Sequence, residues 1–180
     1  RLADPTLPME EAFSQQLKEE KLELPAGQFA LFMNSMYAVD AYVRDYFRKA
    51  ALDALLAEKL PVTVFGEGWE YSCGDEHSLR REPAVPFALS FERIAKAHVL
   101  LNVSPIFNRG MHDRVPAGMA NHAVVLTDEN PYLRRTFTDG KELLFYSLEK
   151  PDTLCEQAER TLTDVRLREK IAASAYETFE

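Results

Sequence analysis

The sequence predicts an α/β protein: a Rossmann-like parallel sheet with flanking helices, preceded by a mainly helical N-terminal segment. Two observations carry this. Short apolar runs at PVTVFG (61–66), HVLLNV (98–103), AVVLTD (123–128) and ELLFYS (142–147) recur with helix-like stretches between them. That order implies βαβ units, a parallel sheet and helices on both faces. The chain, at 180 residues, suits one domain with a sizeable core. The expected division is residues 1–60, a mainly helical segment packing on the domain, and residues 61–180, the Rossmann-like domain.

Residues 8–21 read as a helix, with Pro8 near its start and Glu10 and Glu11 in the first turn, where the helix dipole favours acids. Pro25-Ala-Gly27 interrupts it. Over 28–58, Phe32, Met36, Val39, Val43, Phe47, Ala50 and Ala54 fall near helical spacing, giving one long helix or two shorter ones before Pro61. An early strand before PVTVFG is hard to find unless QFALFM (28–33) supplies it. PVTVFG does not alternate cleanly, as expected of a buried strand, and Gly66 and Gly68 punctuate its end. Residues 70–86 read as polar turns. Ser90 is expected to cap a helix through Lys96, and a polar loop, SPIFNRGMHD, leads to a helix from about Asp113 to Ala120. Asn130-Pro131 suits the start of the short helix PYLRRTF. Helices at 152–162 and 165–178 close the chain.

Composition narrows the partners. With 21 Lys and Arg against 29 Asp and Glu the formal charge is -8, which opposes extended nucleic-acid binding. A small phosphate-bearing ligand stays compatible with one local pocket. Two cysteines, Cys73 and Cys155, form neither a metal-type pair nor a disulfide framework and favour a reducing, cytoplasmic setting. No run of about 18 apolar residues is present, so no transmembrane segment is expected. The start, RLADPTLP, reads as the cut edge of a larger protein or the product of processing.

In open parallel sheets, ligands collect outside the C-terminal ends of the strands. Three polar clusters map there: Gly66–Glu70, Ser104–Arg114 and Thr127–Asn130. In Asn108-Arg109-Gly110-Met111-His112-Asp113-Arg114, Gly110 lets backbone N–H groups approach a ligand and the following helix presents its unpaired amides. Arg109 or Arg114 can add charge-assisted contacts to phosphate, and His112 can donate a hydrogen bond or move a proton near neutral pH. The plainer reading is a polar loop with Asp113 capping the helix and Arg114 exposed. Gly66-Glu67-Gly68-Trp69-Glu70 is either the opposite wall of a pocket or a tight turn whose Trp packs on the sheet. Thr127, Asp128 and Glu129 offer groups for ribose or sugar hydroxyls, with Asn130 more naturally a helix cap. No P-loop, GxGxxG, GxSxG or HExxH pattern occurs, and the four histidines form no zinc set with the cysteines.

The run LNVSPIFNRGMHDRVPAGMANHAVVLTDENPYLRRTFTDGKELLFYS resembles the C-terminal domain of GT-B glycosyltransferases, particularly the CgeB-like group, over roughly residues 61–178. The resemblance implies half of a GT-B architecture: a nucleotide-sugar donor-binding domain facing an N-terminal domain that holds much of the acceptor site. It implies that Gly66 and Gly68 form the glycine turn, that Gly110, His112, Asp113 and Arg114 match a Gly-x-His-Glu-Arg-type loop, and that Thr127 and Asp128 match a Thr-Asp pair. Donor binding is thereby expected of Gly66, Gly68, Asn108, Arg109, Gly110, Met111, Arg114, Thr127, Asp128 and Glu129, with His112 and Asp113 as the local chemical groups. The chain departs from the pattern at Pro116, at Ala117, where the family often has an acid, and at His122, where a Gly is common. No cofactor or metal is expected beyond the nucleotide-sugar, which is substrate. The alternative is a noncatalytic binding or assembly domain derived from such an enzyme.

Overall fold

A computed structural model describes residues 2–70, 77–105, 107 and 109–178. Its N-terminal third is helical: α1 (Met9–Glu19), α2 (Ala26–Ser35) and α3 (Tyr37–Ala57). The order continues β1 (Val62–Phe65), β2 (Leu79–Glu82), α4 (Phe87–Ile94), β3 (Val99–Asn102), α5 (Arg114–Ala120), β4 (Val124–Asp128), α6 (Pro131–Thr136), β5 (Leu144–Tyr146), α7 (Pro151–Thr163) and α8 (Val165–Glu177). All strand pairings are parallel, and the α/β class is as expected.

The sheet is divided. β1 pairs with β2, and β3, β4 and β5 form a separate three-stranded sheet. QFALFM, the one candidate for a further strand, lies in α2, so among the described residues no strand joins β1 to β3. β2 is a second departure: its sequence, LRRE, falls in the stretch read as turns, yet Leu79 is buried and the run pairs in register with β1. α4 begins after Pro86 rather than at Ser90, whose hydroxyl donates within the helix to the Phe87 carbonyl at 2.6 Å.

α3 holds the two sheets together. Val43, Phe47, Ala51 and Leu55 pack with Val124, Leu126, Leu144 and Tyr146, while Leu52 and Leu56 pack with Val64 and Leu79. The stripe expected through Ala50 and Ala54 is therefore one residue out of register beyond Phe47; Phe32 and Val39 are exposed. The central strands alternate as buried strands must. Val124 and Leu126 face α3 and α7, while Val125 joins Val115, Met119, Leu143 and Phe145 on the other side.

Gly118 marks the closest approach of α5 to the sheet. A Cβ there would stand 2.5 Å from Val125 Cγ2 and 2.9 Å from Leu100 Cδ2. Val125 is β-branched, stiff and fully buried, so it cannot swing away. Gly118→Ala should destabilise the fold by about 1–3 kcal/mol, the usual range for overpacking, as read by chemical denaturation; unchanged stability would mean that α5 can lift from the sheet.

Candidate functional site

The C-terminal end of β3 opens into a buried polar network. Asn102 sits at its centre: its amide donates to Thr127 Oγ1 at 2.9 Å, and its Oδ1 accepts from Ser104 Oγ at 2.9 Å and from Arg114 Nη1 at 3.0 Å. Tyr146 Oη donates to the Asn102 carbonyl at 3.0 Å, and the Ser104 N–H donates to Asp128 Oδ1 at 2.7 Å. Buried polar groups are tolerated only when hydrogen-bonded, and these are. The result fixes the Arg114 guanidinium from behind. Burial lowers the Arg114 pKa, opposed by Asp113 and Asp128.

Asp128 is 3 % exposed, and burial pushes its carboxyl up to about 7 against the hydrogen bond from Ser104 and the attraction of Arg114. Thr127 is fully buried, so it reaches the site only through Asn102. Glu129, on the rim, is paired with Arg134 through a 2.8 Å contact to Nε.

His112 lies beside Arg114, with Nδ1 within reach of the Asp113 carboxylate and 3.2 Å from the Arg114 N–H. Its ring meets Phe107 edge-on at 5.1 Å. Desolvation, then Arg114, lowers its pKa, opposed by Asp113. Asp113 precedes α5 but makes no side-chain capping bond. The loop itself is pinned by Asn130, whose Nδ2 donates to the carbonyls of Phe107 at 2.8 Å and Gly110 at 3.2 Å while its Oδ1 caps α6. Met111 packs on the cluster around Val115 and Met119. Arg109 is paired with Glu11 of α1, and Asn108 lies outside the described residues.

Sequence reading missed two cations. Arg44 and Arg48 stand one turn apart on α3, and Arg48 lines the same cleft as His112 and Arg114. Burial and then the neighbouring Arg114 and Arg44 lower the Arg48 pKa, while only Asp45 raises it. Arg48 is half-buried and makes no ion pair among the described residues. The local signal was the i, i+4 spacing of Arg44 and Arg48 within the buried stripe, which is easily taken for a solvated face.

The cleft runs between the two sheets and measures about 1120 Å³. Apolar side chains such as Leu52, Val62, Val99 and Leu101 line it, with Arg48, His112 and Arg114 among its polar residues. Glu67 and Trp69, from the turn after β1, line it too. Trp69 also packs on the β1–β2 core and donates from Nε1 to the Phe65 carbonyl at 3.2 Å, as the tight-turn reading expects. Gly66 and Gly68 adopt φ of +94° and +89°, which only glycine takes without strain, and they make that turn. The three polar clusters thus do follow strands, but only the first two share the cleft. Asp128 and Glu129 face a separate small cavity, and Asp128 connects to Arg114 of the cleft through Ser104 and Asn102.

The departures from the family pattern have structural occupations. His122 takes φ +56° just past the end of α5, a conformation that suits glycine, and its ring stacks on Tyr176 at 4.2 Å. The Ala117 carbonyl accepts from Asn121 Nδ2 at 2.8 Å.

No group of three or more His, Cys, Asp or Glu among the described residues is placed to hold a metal ion, and none of their helices is long and apolar enough to cross a membrane. No curated protein matches the chain. The model of one protein family, described as glycosyl transferase-like, matches residues 44–180, from Arg44 through both sheets to the last helix. With that family match over parallel strands and flanking helices consistent with half of a GT-B architecture, the chain belongs to the glycosyl transferase-like family.

Proposed function

We propose that this chain is the donor-binding part of a glycosyltransferase, and that Arg48, Arg114 and His112 receive the diphosphate of a nucleotide-sugar. One observation carries the reading: half-buried Arg48, which makes no ion pair among the described residues, has Arg114 and Arg44 as like-charged neighbours, and Arg48 and Arg114 line the cleft. Gathering like charges while stripping them of water is unfavourable unless an anion completes the site. The network through Asn102 and Thr127 holds Arg114 in place before the ligand arrives, which is the preorganisation electrostatic catalysis requires.

Chemically, the sugar's anomeric carbon–oxygen bond to the diphosphate breaks and its electron pair leaves on the phosphate oxygen. The guanidiniums stabilise that developing charge. His112, its pKa lowered by desolvation and with Asp113 against Nδ1, is suited to donate or accept one proton at the same place. The acceptor hydroxyl attacks from the side supplied by the other GT-B domain. Gly66 and Gly68 shape the facing turn, Gly110 and Met111 set the loop, and Arg109, Asp128 and Glu129 lie towards the ribose and sugar. A domain that only scaffolds would gain nothing from a half-buried arginine that makes no ion pair among the described residues, which disfavours the assembly alternative.

Titration calorimetry with UDP-, GDP-, ADP- and TDP-sugars tests this. Saturable binding is expected for at least one, weakened about 100-fold or more in Arg114→Ala, since a charge-assisted contact is lost and Asn102 Oδ1 loses a donor. A folded chain that binds none of the four, with its N-terminal segment seated or displaced, would sink the donor reading.

A further inference from the structure

The N-terminal segment lies over the ends of β4 and β5. Pro5 is buried, and with Thr6 it closes a cavity of only about 100 Å³ against Asp128, Glu129, Ser147 and Glu149. Asp4 Oδ1 accepts from the Thr6 N–H at 2.9 Å and from its hydroxyl at 2.6 Å, which sets the turn that seats Pro5. Farther along, the Glu11 carboxylate occupies Arg109. The segment therefore covers both places where a nucleoside and an anion were expected next to the cationic cleft.

Size decides what this does. A cavity of about 100 Å³ has room for a few water molecules, whereas sites for ligands of nucleotide size run to roughly 300–1,000 Å³. The crevice at the ends of β4 and β5 is closed to such a ligand while Pro5 is seated.

The hold is weak. α1 buries none of its residues, and the Arg109–Glu11 pair is exposed, 75 % and 45 % at the two side chains, where ion pairs contribute little. Phe13 rests on Phe29 and Phe32 of α2, at ring separations of 5.3 and 6.1 Å, and Phe32 is itself half-exposed. Segments with few buried contacts open at low free-energy cost.

We propose that residues 2–19 form an autoinhibitory strap: Pro5 and Thr6 fill the nucleoside end of the site, Glu11 stands in for a ligand anion on Arg109, and the strap lifts when a nucleoside diphosphate enters. The proposal rests on the donor reading. Because strap and ligand exclude one another, weakening the strap strengthens ligand binding by the factor by which it raises the open population.

The test is made on the full chain with Pro5→Glu and Glu11→Lys combined, which place a carboxylate against Asp128 and Glu129 and a cation against Arg109. Access is read without nucleotide by maleimide labelling of Ser147→Cys, followed by peptide mass so that Cys73 and Cys155 are counted separately. Labelling at least 10-fold faster in the strap variant is expected, together with at least 10-fold tighter binding of the preferred nucleoside diphosphate among UDP, GDP, ADP and TDP. Equal labelling rates overturn the strap. Faster labelling with unchanged affinity, while Arg114→Ala still abolishes binding, also overturns it and leaves the donor reading standing. Faster labelling with no nucleotide bound by either form sinks both.

Discussion

Replacing Arg48 by Met should make the free protein more stable and its donor binding about 30-fold weaker. Half-buried and facing Arg114 and Arg44, Arg48 carries a charge that desolvation and two like neighbours oppose. Methionine keeps much of the aliphatic stem and removes the charge. Swapping a poorly compensated buried charge for an apolar group of similar length is typically neutral to stabilising, here by about 1 kcal/mol. With the diphosphate in place the balance reverses, because the same guanidinium supplies a charge-assisted contact worth about 2 kcal/mol, or a factor of about 30. Thermal unfolding of the free protein and calorimetry with the preferred nucleotide-sugar measure the two halves. Lower stability together with unchanged affinity would make Arg48 a structural residue. Arg48→Lys separates charge from shape: it retains the charge but lacks the planar fork, so only part of the affinity should return.

This opposition between stability and binding explains why the site was only half legible from sequence. The strands could be read because burial on both faces leaves a local mark: continuous apolar runs such as AVVLTD and ELLFYS stand out wherever they occur. The loop after β3 could be read because glycine, histidine and arginine cluster in a few residues. Arg44 and Arg48 could not, since arginines at i, i+4 on a helix look the same whether they face water or a ligand. Only the placement of α3 across both sheets brings Arg48 to Arg114. Asn102 and Tyr146 were hidden for a related reason. Each sits within a strand-like run, and its polar atom matters through partners 25 and 44 residues distant.

β2 shows the converse. LRRE carries three charged residues, and nothing in its composition suggests a strand. It pairs because Leu79 supplies one buried anchor beside Val64 and because β1 offers a parallel edge. His122 could have been flagged as a position needing left-handed backbone, since a glycine is common there in the family it resembles. The stacked Tyr176 ring, which occupies the imidazole, could not be foreseen from the local sequence.

Asp128→Asn should remove a pH dependence of stability whose sign is the reverse of the usual carboxylate. An aspartate in an unfolded chain titrates near about 3.9, whereas burial raises Asp128 to about 7. Between these values the native protein holds a proton that the unfolded chain has lost, so stability falls as pH rises. The contribution is fully present below about pH 4 and is gone above the folded value. A gap of roughly 3 pH units at 1.36 kcal/mol each makes the whole span about 4 kcal/mol at most. Asparagine can keep an oxygen for the Ser104 N–H and carries no charge at any pH. The stability of wild type and variant should therefore agree near pH 4 and part steadily towards pH 7.5, with the variant the more stable. Denaturant unfolding across that range provides both curves, and their difference cancels every other titrating group. Curves that stay parallel would mean that Asp128 is ionised throughout, held by Arg114. In that case Arg114 would already have its counter-charge, and Arg48 would be left as the cation that most needs the ligand.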